Sequence, residues 1–180
     1  MRNLWQLWKS NLTPEECNII IENAKQYPQE NGNIFAGGDN VAEVRRSHVR
    51  WLTDNEYVKA LVMKYGTEAN RKAFGFEITD VYDIQFTEYY AKEQGFYDWH
   101  HDVDFTSDSM SDRKITVVIQ LSDPSTYEGG NFSFKDVENP DFTPQGSIIV
   151  FPSFLEHKVY PITKGVRYSL AAWIEGPRWK

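Results

Sequence analysis

The order of apolar and polar positions divides the chain into a helical front third and a strand-rich remainder. In "TPEECNIIIENAKQY", Thr13, Pro14 and Glu16 stand as N-cap, first helical residue and capping-box partner, which predicts a helix running to about Tyr27. The polar, glycine-rich "QENGNIFAGGDN" reads as a loop. After it, "VAEVRRSHVRWL" reads as a strand from its partial alternation and β-branched residues. From Asn55 to about Phe74, the residues Tyr57, Leu61, Val62, Tyr65 and Ala69 fall on one stripe and predict a second helix packed on the core. From Val81 the period shortens. "VYDIQFTEYY", "RKITVVIQL", "NFSF", "SIIVFP" and "RYSLAAWI" are short, bounded by turn residues, and predict an antiparallel sandwich or jelly roll. The most polar connection, "SDSMSDRK" after Phe105, is expected to form a mobile lip over a site.

Composition narrows the class. A chain of 180 residues, 41% of them hydrophobic, suits one domain with a real core, here a helical support over about residues 1–78 and a sheet core over about 79–176. Nineteen Lys+Arg against 26 Asp+Glu give a net charge of −7, which argues against general attraction to nucleic acid or anionic lipid. The lone Cys17 excludes an internal disulfide and zinc held by clustered thiolates, and its place in the first helix makes it a small buried hydrophobe. The N-terminus lacks the apolar run of a signal peptide and no stretch of about 18 apolar residues occurs, so a soluble cytoplasmic protein is expected.

Chemistry concentrates in "GFYDWHHDVDF", residues 95–105. Side chains alternate along a strand, so His100 and Asp102 share a face and His101 points away. A His-x-Asp pair seats one metal ion but needs a third ligand. Of the remaining histidines, His48 stands beside Arg45, Arg46 and Arg50, a setting that disfavours a cation, whereas His157 follows the strand "GSIIVF". Two imidazoles and one carboxylate make the facial triad of non-haem iron(II) oxygenases, with positions left open for cosubstrate and dioxygen. Arg167, ten residues beyond His157 across "YPITKG", would supply a two-pronged cation for an anionic cosubstrate. Asp104 shares the parity of His100 and Asp102 but, like His101, falls outside the triad pattern. Arg45, Arg46 and Arg50 read as a solvated strand face, with contact to an acidic or peptide substrate as the alternative. Phe96, Tyr97, Trp99 and Phe105 read as packing around the site.

The order Tyr90, "GFYDWHHD", "RKITVVIQL", Gly129-Gly130, "GSIIVF", His157 and Arg167 resembles the prolyl-4-hydroxylase-like Fe(II)- and 2-oxoglutarate-dependent dioxygenases over roughly residues 81–176. "LSDPSTYEGG" is similar to the bacterial PKHD-type hydroxylases. The resemblance implies a mainly β (α+β) double-stranded β-helix, a cupin-like jelly roll with flanking helices. It implies iron at His100, Asp102 and His157, and the far carboxylate of 2-oxoglutarate at Arg167. It also implies Tyr90, Tyr97, Thr116 and Gln120 around the cosubstrate and Trp173 in the last strand, with Gln120 standing where several relatives carry a tyrosine. The implied activity is hydroxylation of an aliphatic carbon with dioxygen as oxidant and ascorbate as reductant, releasing succinate and carbon dioxide. A prolyl residue of a peptide or protein leads as substrate, with a free amino acid or other small molecule as alternative. A jelly-roll module that binds metal without turnover is the competing class.

Overall fold

The computed structural model describes residues 4–32 and 41–180, with the Val41 side chain left aside, and part of the expected loop over 28–40 therefore lies outside the described residues. The strands in chain order are β1 (Gln6–Trp8), β2 (Glu30–Asn31), β3 (Arg45–Arg46), β4 (His48–Trp51), β5 (Val81–Tyr90) and β6 (Phe96–His100). They continue as β7 (Ser111–Gln120), β8 (Tyr127–Gly129), β9 (Phe132–Phe134), β10 (Ile148–Pro152), β11 (His157–Val159) and β12 (Ile162–Pro177). The helices are α1 (Pro14–Ala24), α2 (Val41–Val44) and α3 (Glu56–Ala69).

Helix α1 carries the expected capping box: the Glu16 N–H donates to Thr13 Oγ1 at 3.2 Å and the Thr13 N–H to Glu16 Oε2 at 2.7 Å. It ends at Ala24, short of Tyr27. The last turn tightens, with the Gln26 N–H donating to the Asn23 carbonyl and the Tyr27 N–H to the Ala24 carbonyl, and Pro28 disfavours helical backbone at Tyr27 itself. In α3 the buried stripe is Val58, Val62, Tyr65, Gly66 and Ala69, while Tyr57 is 52% exposed. Val62, Tyr65 and Ala69 are buried as expected and Leu61 is half-buried against the core, while Val58 takes the place expected of Tyr57. A π-helical turn, Asn70–Phe74, closes the segment at Gly75. The stretch "VAEVRRSHVRWL" is not one strand: it opens with α2, and β3 and β4 part at Ser47 to join different sheets.

Among the described residues, the larger sheet runs β1-β10-β7-β12-β5-β4-β2, with β8 added to β12, and the smaller runs β3-β6-β11-β9. Every pairing is antiparallel. The front third therefore supplies strands to both sheets as well as helices. Strand period explains the layering. Even positions of β5 and β12, such as Ile84, Phe86, Leu170, Ala172 and Ile174, join α1 and α3 in the main core. Odd positions, Gln85, Thr87, Tyr89, Arg167, Ser169 and Trp173, line a cavity that the smaller sheet also borders. Both faces of these strands are covered, so their polar residues Gln85, Thr87, Glu88, Arg167 and Ser169 are buried as well. The expected lip "SDSMSDRK" is half strand: Ser111 and Asp112 pair with Pro177 and Gly176 of β12, so the connecting loop ends at Met110.

Candidate metal centre and its cavity

The last residue of β6, His100, stands opposite the first residue of β11, His157, in the smaller sheet. Each imidazole is turned the same way. His100 Nδ1 lies 2.7 Å from the Asp98 carbonyl and His157 Nδ1 lies 2.9 Å from the Leu155 carbonyl, so Nδ1–H donates and Nε2 keeps its lone pair. Asp102 lies just past the strand, held by its N–H donating to the Ser153 carbonyl at 2.8 Å. Its carboxylate oxygens lie 3.7 Å from His100 Nε2 and 3.6 Å from His157 Nε2. Those separations are too long for hydrogen bonds. They suit atoms converging on one ion, and one ligand atom from each residue falls within 4.8 Å of the others.

The protonation states of His100 and Asp102 suit metal ligands. Burial, with the neighbouring His157, pushes the His100 pKa down to about 3, so at neutral pH it offers a neutral imidazole. Burial alone would raise the Asp102 pKa, but His157, His100, Arg113 and the Thr116 hydroxyl together hold it below the usual carboxylate value. The Thr116 hydroxyl donates to Asp102 Oδ2 at 2.7 Å and fixes the carboxylate's orientation. Thr116→Val is therefore expected to weaken metal binding by roughly 10- to 100-fold with the fold retained. Titration of the variant with Fe(II) under anaerobic conditions measures this, and unchanged affinity would remove Thr116 from the role.

The three ligand atoms border a cavity of about 230 Å³ between the sheets. Arg45, Arg113 and Arg167 also line it, against Asp102 as the one acidic side chain on its wall among the described residues. Arg45 lies over the Tyr97 ring at 4.5 Å, and Tyr97 stacks on His100 with centroids 3.4 Å apart. Arg113 lies over Trp173 at 3.8 Å and reaches Asp83 at 3.4 Å. Arg167 is 2% exposed, with the Ser169 hydroxyl at 3.5 Å, and has no ion-pair partner among the described residues. A buried guanidinium without a counter-ion is costly, so the wall is built for an anionic occupant. The donor set and this cation fit a metal ion with a dicarboxylate beside it.

The structure brings His100, Asp102, His157, Tyr97, Thr116 and Arg167 to this cavity. Tyr90 is not among them. Alternation along β5 sends Tyr89 inward, while the Tyr90 hydroxyl donates to Glu88 Oε1 at 3.1 Å on the other face. Gln120 borders an adjoining chamber rather than the metal cavity. Of the four aromatics expected around the site, only Tyr97 reaches the wall; Phe105 is 57% exposed, and Trp51, Tyr89, Phe132 and Trp173 complete the aromatic lining. His101 is exposed against Phe105, Asp104 accepts from the N–H and hydroxyl of Thr106, and His48 lies 2.8 Å from Glu93. The arginine face is not solvated: Arg45 is buried, Arg46 donates to the Glu93 carbonyl and Arg50 pairs with buried Glu88 at 3.1 Å. Tyr89 is missed by the sequence reading, although the polar odd positions Gln85 and Thr87 mark the cavity face of its strand, and Arg45 enters that reading as a solvated residue with substrate contact as the alternative.

The profile of the 2OG-Fe(II) oxygenase superfamily matches residues 84–175. A PKHD-type hydroxylase of Synechococcus sp. (strain CC9311) is 34% identical over 87 residues, 47% of this chain and 39% of that protein. Another, from Synechococcus sp. (strain CC9902), is 40% identical over 81 residues, 44% of this chain and 36% of that protein. The matched stretch thus spans well under half of those relatives. A viral collagen prolyl hydroxylase from Paramecium bursaria Chlorella virus-1, solved with 2OG, superposes with a TM-score of 0.72 at 19% identity, covering 97% of each chain. A prolyl hydroxylase from Trichoplax adhaerens, in complex with a hypoxia inducible factor peptide fragment, gives 0.74 at 17% identity over 96% of this chain and 83% of that one. The shared fold is the double-stranded β-helix. Among the described residues no helix is long and apolar enough to cross a membrane.

Proposed function

The chain belongs to the 2OG-Fe(II) oxygenase superfamily, and from that premise we propose that it is an Fe(II)- and 2-oxoglutarate-dependent dioxygenase that hydroxylates an aliphatic carbon. In this reading His100, Asp102 and His157 hold the iron, and Arg167 receives the far carboxylate of 2-oxoglutarate. One observation carries it: three converging ligand atoms share a cavity with a buried guanidinium that has no ion-pair partner among the described residues. When bound, iron and 2-oxoglutarate supply the oxidising power, consuming dioxygen and releasing succinate and carbon dioxide as a substrate C–H becomes C–OH.

The chain's own part is orientation and exclusion. The carbonyl-tethered imidazoles and the Thr116-held carboxylate present their donors from one side, leaving the cavity side for other ligands. Arg167 fixes the direction from which a dicarboxylate enters, and the rings of Tyr97, Phe132 and Trp173 keep water from the reacting centre. A prolyl residue of a peptide is the proposed substrate, supported by the prolyl hydroxylases among the structural neighbours and by the hydroxylase names of the relatives. Ascorbate is the proposed reductant.

Anaerobic addition of Fe(II) and 2-oxoglutarate is expected to produce a weak visible charge-transfer band. Oxygen and a prolyl peptide should then yield succinate and a peptide heavier by one oxygen. Fully metallated protein giving neither the band nor succinate would sink the enzyme reading.

A further inference from the structure

Arg167 stands between two polar neighbours that the metal centre does not use. By alternation β12 carries Gly165, Arg167 and Ser169 on one face. Register sets Tyr127 of β8 opposite Gly165, and Gln120 of β7 opposite Ser169. Gln120 and Tyr127 thus flank Arg167 on the diagonals, a separation that long and aromatic side chains span. Gln120 Nε2 donates to the Tyr127 hydroxyl at 2.8 Å and to the Ser122 carbonyl at 3.2 Å. Gln120, Tyr127 and Arg167 line a second chamber of about 270 Å³, and Arg167 and Phe132 border both this chamber and the metal cavity. Gly130, at φ +67, makes room there, since a Cβ on it would fall 3.0 Å from Arg167 Cδ and collide with Ile162 Cδ1.

The polar atoms around Arg167 are incompletely satisfied. Both hydrogens of the Gln120 amide are committed, so the Tyr127 hydroxyl accepts, and its own proton has no acceptor among the described residues. Gln120 Oε1 is buried without a hydrogen-bond partner. Arg167 is buried without an ion pair among the described residues. Native proteins seldom bury such groups unmet, and a directed O–H beside an uncompensated guanidinium is a carboxylate site.

We propose that Tyr127 binds the cosubstrate, its hydroxyl donating to the far carboxylate of 2-oxoglutarate beside Arg167, with Gln120 as the positioning residue that holds the ring oxygen. This rests on the reading of the cavity as an Fe(II) and 2-oxoglutarate site. A lone cation recognises charge over a range of distances, whereas a second, directional donor selects chain length and the presence of that carboxylate. Tyr127 is therefore a determinant of cosubstrate choice.

The test is isothermal titration of the Fe(II)-loaded protein, without oxygen, against 2-oxoglutarate and 2-oxopentanoate, in which a methyl group replaces the far carboxylate. Tyr127→Phe is expected to raise the Kd for 2-oxoglutarate about tenfold and leave that for 2-oxopentanoate unchanged. Gln120→Met is expected to act in the same direction by about threefold, through loss of the anchor, and it decides the matter should Tyr127→Phe not fold. Unchanged 2-oxoglutarate affinity, or equal weakening toward both acids, would overturn the assignment of Tyr127. Wild-type protein that takes up iron but binds no 2-oxoglutarate would instead overturn the proposed function.

Discussion

His157→Ala is expected to abolish stoichiometric Fe(II) binding, and succinate release with it, while leaving a folded protein. The substitution removes one of three converging donors and leaves His100 and Asp102, too few to hold the ion against water. Loss of a mere supporting partner already costs about 10- to 100-fold in metal affinity, so loss of a ligand should exceed that range. The cost to the fold is smaller. The imidazole packs on Phe151 at 4.9 Å and Phe132 at 5.5 Å between ring centroids, yet it borders an existing cavity. Truncation should therefore cost about 2 kcal/mol, lowering the midpoint of unfolding by roughly 4–8 °C. Calorimetry with and without Fe(II) separates the two effects. Wild-type protein should gain about 2.7 kcal/mol at a hundredfold excess of metal over Kd, and the variant should gain nothing. A variant that still bound one equivalent of iron would show the ligand set to be wrong.

Arg167→Met is expected to leave iron binding intact and to weaken 2-oxoglutarate binding by two to three orders of magnitude. Truncating one member of a buried charge pair costs about 2–5 kcal/mol, because the other charge remains desolvated. The same reasoning fixes the sign of the effect on the free protein. A buried guanidinium without a carboxylate is a desolvation cost, and methionine fills similar space without it. The variant should thus be at least as stable as wild type in the absence of ligand and less stable than wild type when 2-oxoglutarate is present. Unchanged cosubstrate affinity would remove Arg167 from the clamp. A large loss of stability without ligand would make the guanidinium a structural group.

The pair His100 and Asp102 was legible because alternation along a strand is a local rule, yet its enforcement is not local. Asp102 lies beyond the end of β6, and the tether to the Ser153 carbonyl holds it on the site. The adjacent tyrosines show the limit of the rule. Alternation says that Tyr89 and Tyr90 face opposite ways, but not which face is the cavity, and motif spacing pointed to Tyr90. Arg45 was hidden for a different reason. A strand of two residues carries no period, so its sequence reads as part of a charged run until pairing with Tyr97 and Phe96 in the smaller sheet buries it.

Helix α1, the strand-rich second half and the residue types for a metal site follow from short-range preferences: a capping box, a period of two and a His-x-Asp spacing act between residues a few positions apart. The facing of His157 to His100, the flanking of Arg167 by Gln120 and Tyr127, and the entry of Arg45 into the cavity rest on strand pairings between residues roughly 40 to 60 positions apart. Register across such distances is set by which faces the whole fold buries, so folding alone turned a list of suitable side chains into one cavity with a cation at its far end.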